Sequence, residues 1–317
     1  MNNNTEKNIK TTDNISPSRK KLGLVAVIIV EMIFGFSFLF SKLLLNMVSP
    51  SVMIAVRFLI AFIVLNLIVL INKLLGDKAL FTFSLKGKPI KPLLKLAICQ
   101  PCIYFIAESY GIKFTSSSFA GIIIALVPIA GILADIIFLK AKIRKVQIIC
   151  ALLSVAGVVL TTIGATGLKS STLGLLFLLI AVASGSMFYV FSKEAGEFYN
   201  PLERTYAMFM VGFIVYSVPA ALDIAKDSSR IIAALHNPLF YGCMAYLAII
   251  SSVVAFMLLN FASNLISVTS ATLLANLITV ISIFAGVVFL HESLTILQVI
   301  GAIVIIGSVT IGTLKNA

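Results

Sequence analysis

Charged side chains inside long apolar runs are the residues of this sequence best placed to do chemistry, because a charge there is costly to keep. Glu31 lies near the middle of the first run, about 14 Å from the start of that run at 1.5 Å per residue. Gly35, Phe38 and Lys42 follow it on the same helical face. Such a carboxyl group can bind a proton or a polar solute, so we interpret Glu31 as a pathway or proton-coupling residue. The alternative is a structural hydrogen bond between helices.

Arg57 and Glu108 lie at similar depths in the second and third apolar runs, roughly 8–9 Å from the same end at 1.5 Å per residue. An ion pair between them would remove the cost of an isolated charge, and Arg57 would then hold the structure or gate the outer vestibule. A Glu108 without that pair would instead belong to the substrate site. The sequence leaves both alternatives open. Lys42 and Lys193 are assigned with Arg57 to the structural or gating charges.

Uncharged polar side chains form a second set of candidates for contacts with a polar solute. Asn260 and Asn276 are the strongest, because a buried amide needs several hydrogen-bond partners. Ser186 and Tyr189 are included because an internal repeat, described below, relates their face to that of Glu31. Ser and Asn also join helices to one another in membranes, and that alternative stays open for each. The remaining candidates are Tyr104, Tyr110, Ser117 and Ser251.

The elements that position these residues are predicted to be membrane-spanning helices. Hydrophobic residues make up 60% of the chain and charged residues 11%, against about 45–50% and about 25% in soluble domains. Ten apolar segments approach the roughly 20 residues that a bilayer requires, after a polar tail over 1–21 that is predicted to be disordered. They start at Leu22 and continue at 51–72, 92–113, 116–139, 145–164, 173–194, 202–221, 239–261, 266–290 and 296–314.

The distribution of charge predicts how these helices are oriented. The chain carries 24 Lys and Arg against 12 Asp and Glu. Most of the cations lie in the tail and in alternate loops, especially at 73–91 and 140–145. Cytoplasmic loops carry such an excess, so both termini are predicted to be cytoplasmic. No basic helix is interleaved with aromatic stacking residues, which argues against nucleic-acid binding.

The motifs of enzymes and cofactor-binding proteins are missing from the sequence. Cys99 and Cys102 have the spacing of a redox pair, but they lie in an apolar run and are interpreted as packing residues. No glycine-rich phosphate loop, nucleophile–base pair or zinc-binding histidine pair is present. The sequence therefore predicts no enzyme activity, no cofactor and no metal site.

An internal repeat divides the chain into two halves, 22–164 and 173–314. A constant shift of 151 residues aligns Pro50 with Pro201 and Gln147 with Gln298. The same shift aligns Phe40-Ser41-Lys42 with Phe191-Ser192-Lys193. Each half contains five helices, and an odd number forces the second half to insert in the inverted orientation. Inverted repeats are typical of secondary transporters, which bind their solute near the midplane between the halves.

These residues resemble the drug/metabolite transporter superfamily of ten-helix proteins with tandem EamA-type repeats. The matching positions are Gly35, Lys42, Pro50 and Arg57 in the first half, Leu126 and Pro128 in the fourth helix, and the run from His291 to Thr295 with Gln298 and Gly301 near the end. The chain departs from the family pattern at two positions. Ala141 stands in the first half at the position equivalent to Glu292, which therefore has no acidic counterpart, and Thr279 replaces the proline usual in the ninth helix. The resemblance implies two inverted five-helix halves, frequent homodimers, and exchange powered by protons or a counter-substrate.

Together these observations predict an all-α, multi-pass secondary transporter of the plasma or inner membrane. Its partners would be a small polar organic solute, such as an amino acid or related metabolite, with protons, the lipid bilayer and a second copy of the chain. Export by proton-coupled alternating access is the favoured mechanism. Facilitated uniport or exchange is the alternative within this class, and a polytopic membrane enzyme or a sensor is the alternative outside it.

Overall fold

The computed structural model describes residues 16–76, 82–114, 123–124, 126–140, 143–163, 171–290 and 295–314. Over these residues six helices are long and apolar enough to cross a membrane, and four shorter helices are also apolar. The ten correspond in order to the ten predicted segments. This is an all-α membrane protein of ten helices, labelled α1 to α10 below.

The bounds of the helices agree with the hydropathy pattern in most places. They are α1 (Pro17–Leu45), α2 (Pro50–Leu75), α3 (Ile90–Ala97, Ile98–Ile103 and Tyr104–Phe114), α4 (Val127–Leu139), α5 (Lys145–Ile163), α6 (Thr172–Ala195), α7 (Pro201–Lys226), α8 (Pro238–Ala245, Tyr246–Val254 and Ala255–Ala262), α9 (Val268–Ala275 and Leu277–Leu290) and α10 (Ile296–Leu314). A short helix, Ser229–Leu235, connects α7 to α8.

Two boundaries differ from the sequence prediction. Residues 17–21 of the predicted tail are helical, because a proline at the first helical position has its backbone angle already set for a helix. Residues 1–15 of that tail lie outside the described residues. The predicted single segment 266–290 is broken at Asn276 into two helices. The middle pieces of α3 and α8 are π-helical, and in α3 this piece contains a non-helical Gln100 followed by Pro101.

The repeat found in the sequence is present in the helix boundaries. Helix α7 starts and ends 151 residues after α2, and α10 does the same relative to α5. The side chain of Gln147 accepts a hydrogen bond from the Arg144 amide at 2.9 Å, and that of Gln298 accepts one from the Thr295 amide at 2.9 Å. Both satisfy an amide at a helix start that has no partner within its helix. Equivalent residues therefore build equivalent local structure in the two halves.

The two halves are interwoven rather than packed side by side. Helix α1 packs mainly against α8 and α9 of the second half, whereas α6 packs mainly against α3 and α4 of the first. Equivalent helices also pair directly, α2 with α7 and α5 with α10. A continuous apolar core links the halves, with Phe58, Phe209 and Phe256 at its centre. Helices α1, α3, α6 and α8 carry the residues of the candidate site described below.

The α5–α10 pair depends on close approach of the two backbones. A Cβ atom added to Gly157 would lie 2.8 Å from Ile305 Cγ1 and 2.9 Å from the Gly301 carbonyl oxygen. A Cβ atom added to Gly307, on the same pair of helices, meets nothing within 4 Å. The absence of a side chain at Gly157 therefore sets the separation of these helices.

This contrast gives a stability prediction. Gly157→Ala should lower the free energy of unfolding by about 1–3 kcal/mol through overpacking. Gly307→Ala should leave it unchanged or raise it slightly, because alanine favours the helix. Thermal unfolding of the purified variants in detergent measures both effects. An equal loss of stability in the two variants would contradict the proposed close contact.

Candidate substrate and proton site

Glu31 is the centre of the candidate site. Its side chain is fully buried in α1, and neither carboxylate oxygen has a hydrogen-bond partner among the described residues. Tyr104 of α3 and Tyr189 of α6 both interact with it electrostatically. Tyr246 of α8 donates a hydrogen bond to the carbonyl of Ile33 at 3.0 Å and so holds α8 against this part of α1. The carboxylate thus lies inside the bundle, with residues of three other helices near it.

Glu108 is connected to the same cluster through Tyr104. The Tyr104 hydroxyl donates to Glu108 Oε1 at 2.9 Å, and Tyr104 also interacts electrostatically with Tyr189. Helices α3 and α6 approach closely here, because a Cβ atom at Gly185 would lie 3.2 Å from two carbons of the Tyr104 ring. Two carboxyl groups, on α1 and α3, therefore both interact with one tyrosine.

Arg57 is bound to α8 rather than to Glu108. Its Nε donates to Ser252 Oγ at 2.7 Å and its Nη2 to Ser251 Oγ at 3.1 Å. The guanidinium carbon lies 5.4 Å from the centre of the Phe105 ring. Arg57 and Glu108 interact electrostatically, but no ion pair within the described chain joins them. Equal depth along two helices fixes a common height but not the direction of a side chain around its helix axis.

Ser186 and Asn276 both join helices. The Ser186 hydroxyl donates to the carbonyl of Val182 in its own helix at 2.8 Å and to that of Val127 in α4 at 3.2 Å. Asn276 lies at the break in α9, where its amide donates to Ser154 Oγ of α5 at 2.8 Å. These contacts favour the helix-joining interpretation that the sequence left open for each.

Asn260 belongs to a buried network that connects α6, α7 and α8. Its amide donates to Thr205 Oγ1 at 3.0 Å, and Ser192 Oγ donates to its side-chain oxygen at 2.7 Å. Arg204 donates to the backbone carbonyls of Asn260 and Ser192 and, at 2.9 Å, to Ser263 Oγ. Arg204 is not among the residues singled out from the sequence, and it is fully buried in the first turn of α7.

Lys193 lies near the end of α6, half-buried, and interacts electrostatically with Asp135 and Glu197. Asp135 of α4 is 2% exposed and accepts hydrogen bonds from the amide and hydroxyl of Thr269 at 3.1 and 2.7 Å, at the start of α9. Asp135 lies inside an apolar run as Glu31 does, and that position is the signal by which it could have been predicted from the sequence. The side chain of Lys42 lies outside the described residues.

One end of the bundle is covered by residues 82–89, here called the strap. Glu203, buried at the start of α7, accepts from Lys88 Nζ at 2.6 Å and from the Ser84 amide at 2.8 Å. The hydroxyl of Tyr199 donates to the Pro89 carbonyl at 3.0 Å. The strap therefore binds the α6–α7 junction through a buried carboxylate.

The opposite end is held by Asp223 of α7. Ser49 donates to Asp223 Oδ2 at 3.0 Å, and Ser51 donates to the same oxygen. These bonds join the end of α7 to the α1–α2 connection. A cavity of about 220 Å³ lies beside them, between Val48 and the short helix that follows α7.

A ten-helix bundle with interwoven repeats, and with a buried carboxyl group that has no hydrogen-bond partner in the described part of the chain, fits a membrane transporter. Comparison with known proteins agrees. The model of the EamA-like transporter family matches residues 21–163 and again 172–313. The chain therefore belongs to the EamA-like transporter family. It is a transporter and not an enzyme.

Relatives named as transporters agree with this assignment, and a solved structure shares the fold. The Bacillus subtilis protein named uncharacterized transporter YcxC is 29% identical over 285 residues, 89% of each chain. An uncharacterized transporter of Archaeoglobus fulgidus is 23% identical over 269 residues, 85% of this chain and 90% of its own. One crystal structure superposes with a TM-score of 0.74 over 95% of this chain and 98% of its own, and at 17% identity it shows the fold alone.

The partners of Arg57 give a prediction for double-mutant cycles. Arg57→Ala and Ser252→Ala remove the same hydrogen bond, so their effects on unfolding free energy should be non-additive by about 0.5–3 kcal/mol. Arg57→Ala and Glu108→Gln share no direct bond and should be closer to additive. Equilibrium unfolding of the single and double variants measures both couplings. A larger coupling for Arg57 with Glu108 would favour the ion pair instead.

Proposed function

We propose that this transporter exports a small polar organic solute in exchange for protons, and that Glu31 is the coupling carboxylate. The observation that carries the proposal is the burial of both Glu31 oxygens without a hydrogen-bond donor among the described residues. An ionised carboxylate in that state would lose its hydration without compensation. A proton or a bound solute that supplies charge or hydrogen bonds removes this cost, and each excludes the other.

Alternating access then requires each end of the bundle to open in turn. The contacts that would have to break are polar and localised: Lys88 with Glu203 at the strap end, and Ser49 with Asp223 at the opposite end. In the structure both contacts are made and Glu31 is enclosed. Closed contacts at both ends and an enclosed Glu31 support the interpretation that this conformation is an occluded one, between the two open states. Lys193 and Asp135, near the strap end, would contribute to that gate.

Facilitated exchange without protons is the alternative within the class. It would use the same bundle and gates but would not require Glu31 to change its protonation. The substitution of Glu31 described below distinguishes the two mechanisms.

The proposed orientation places the strap end in the cytoplasm of the cell and the Asp223 end outside it, with both termini cytoplasmic. The exposed residues Ser228 and Ser84 lie near the two ends. A cysteine at Ser228 should react with a membrane-impermeant thiol reagent in intact cells, and one at Ser84 should not. Background labelling should be low, since Cys102, Cys150 and Cys243 are buried and Cys99 is partly buried. The opposite labelling pattern would reverse the topology.

Glu31→Gln should abolish accumulation driven by a pH gradient while leaving the fold intact. Glutamine keeps the size of the side chain but cannot exchange a proton. The measurement uses proteoliposomes and the solute that most raises the melting temperature in a screen of amino acids, amines, nucleotides and sugars. Glu194→Gln is the matched control, because Glu194 pairs with Lys95 at the surface, where such pairs are worth little. Gradient-driven accumulation at the wild-type rate in Glu31→Gln would refute proton coupling through this residue.

A further inference from the structure

We propose that the interior site selects organic ammonium ions, with the Glu31 carboxylate as counter-ion and the neighbouring aromatic rings as the walls. The proposal rests on the proposed function, since it names the class of solute that would exchange with the proton on Glu31.

The charges around Glu31 favour a cation over an anion. Tyr104 of α3 and Tyr189 of α6 are its electrostatic partners, and Tyr246 of α8 binds the same part of α1. The other ionisable group of this cluster among the described residues is a second carboxyl group, that of Glu108, which accepts from Tyr104. Helix α9, which also packs on α1, has no ionisable residue in its sequence. An anionic solute would meet a carboxyl group and hydroxyls, whereas an ammonium ion would meet its counter-charge.

The buried arginines of the described chain and the half-buried Lys193 are bound elsewhere. Arg57 donates to Ser251 and Ser252 of α8, and Arg204 donates to backbone carbonyls near the strap. Lys193 interacts with Asp135, near the end of α4. The electrostatic partners of the three are other carboxylates: Glu108 for Arg57, Glu203 for Arg204, and Asp135 and Glu197 for Lys193. A solute carboxylate beside Glu31 would therefore find no counter-charge in these three side chains.

Aromatic rings supply the second requirement of an ammonium site. Phe34 lies three residues after Glu31, on the same helical face, and its ring centre is 5.5 Å from that of Phe256. Phe256 is 5.9 Å from Phe188, which precedes Tyr189 in α6. The faces of such rings attract cations, more strongly when water is excluded.

The Tyr189 hydroxyl offers a hydrogen-bond acceptor for the N–H groups of an ammonium ion. Within the described chain it makes no hydrogen bond, so its oxygen is available to accept one from an ammonium group beside Glu31. A metal cation fits less well, because Ca²⁺ takes six to eight oxygen ligands. An organic ammonium needs only a counter-charge, one or two acceptors and apolar contact, and these are the groups present.

Three probes that share one ring and differ in charge test the proposal: 2-phenylethylamine, 2-phenylethanol and phenylacetate. Each is added at neutral pH to the purified full-length protein in detergent, and thermal unfolding is followed without any ion gradient. We expect the amine alone to raise the melting temperature, by an amount that increases with its concentration. The shift should be lost in Glu31→Gln and retained in Glu194→Gln.

Tyr189→Phe is the second variant, and it keeps the ring while removing the hydroxyl. It should weaken binding of the amine severalfold without abolishing it, which keeps the test usable if Glu31→Gln does not fold. The proposal is overturned if the amine gives no shift, if phenylacetate or phenylethanol gives an equal one, or if Glu31→Gln retains the shift. Because no ion gradient is present, this binding test is independent of proton coupling. The proton-coupling proposal is refuted by a different result, namely gradient-driven accumulation of solute by Glu31→Gln.

Discussion

A buried polar group must find a partner inside the protein when lipid replaces water, and this constraint accounts for most of the polar contacts in the bundle. Arg57 binds two serines, Asp135 binds the first turn of α9, and Glu203 binds the strap. Among the buried side-chain atoms of the described residues, only the two oxygens of Glu31 and Nε of Arg204 lack a partner. Arg204 is already held by its other nitrogens. Glu31 is therefore the one buried side chain in that set with all its polar atoms unpartnered.

The symmetry of the scaffold contrasts with the asymmetry of its chemistry. The two halves share helix bounds and the caps formed by Gln147 and Gln298. The position equivalent to Glu31 in the second half is Val182, which is buried and apolar. A symmetric pair of carboxylates would place two uncompensated charges in one interior. Under the proposed mechanism, Glu31 would bind one proton or one cationic solute at a time.

The interweaving of the halves links this site to both ends of the bundle. Helix α1 carries Glu31 and leads to Ser49, which binds Asp223 at one end. Helix α6 carries Tyr189 and leads to Lys193 and the strap at the other. Because α1 packs on the second half and α6 on the first, a movement of one half against the other would change both ends together. The alternating access proposed above requires such a coupling.

The class of protein, the number of helices, the repeat and the place of Glu31 inside an apolar run could all be predicted from the sequence. These follow from hydropathy, from a constant spacing between the halves, and from the cost of a charge inside an apolar run. Such patterns give the depth of a residue and its face on its own helix. Only the tertiary structure decided which partner each side chain meets, because the rotation of neighbouring helices is set by packing across the whole bundle. For that reason Arg57 donates hydrogen bonds to serines and not to Glu108. The side chains that join helices are those of Ser186, Asn260 and Asn276. The buried contacts of Asp135 and Arg204 became evident only in the fold.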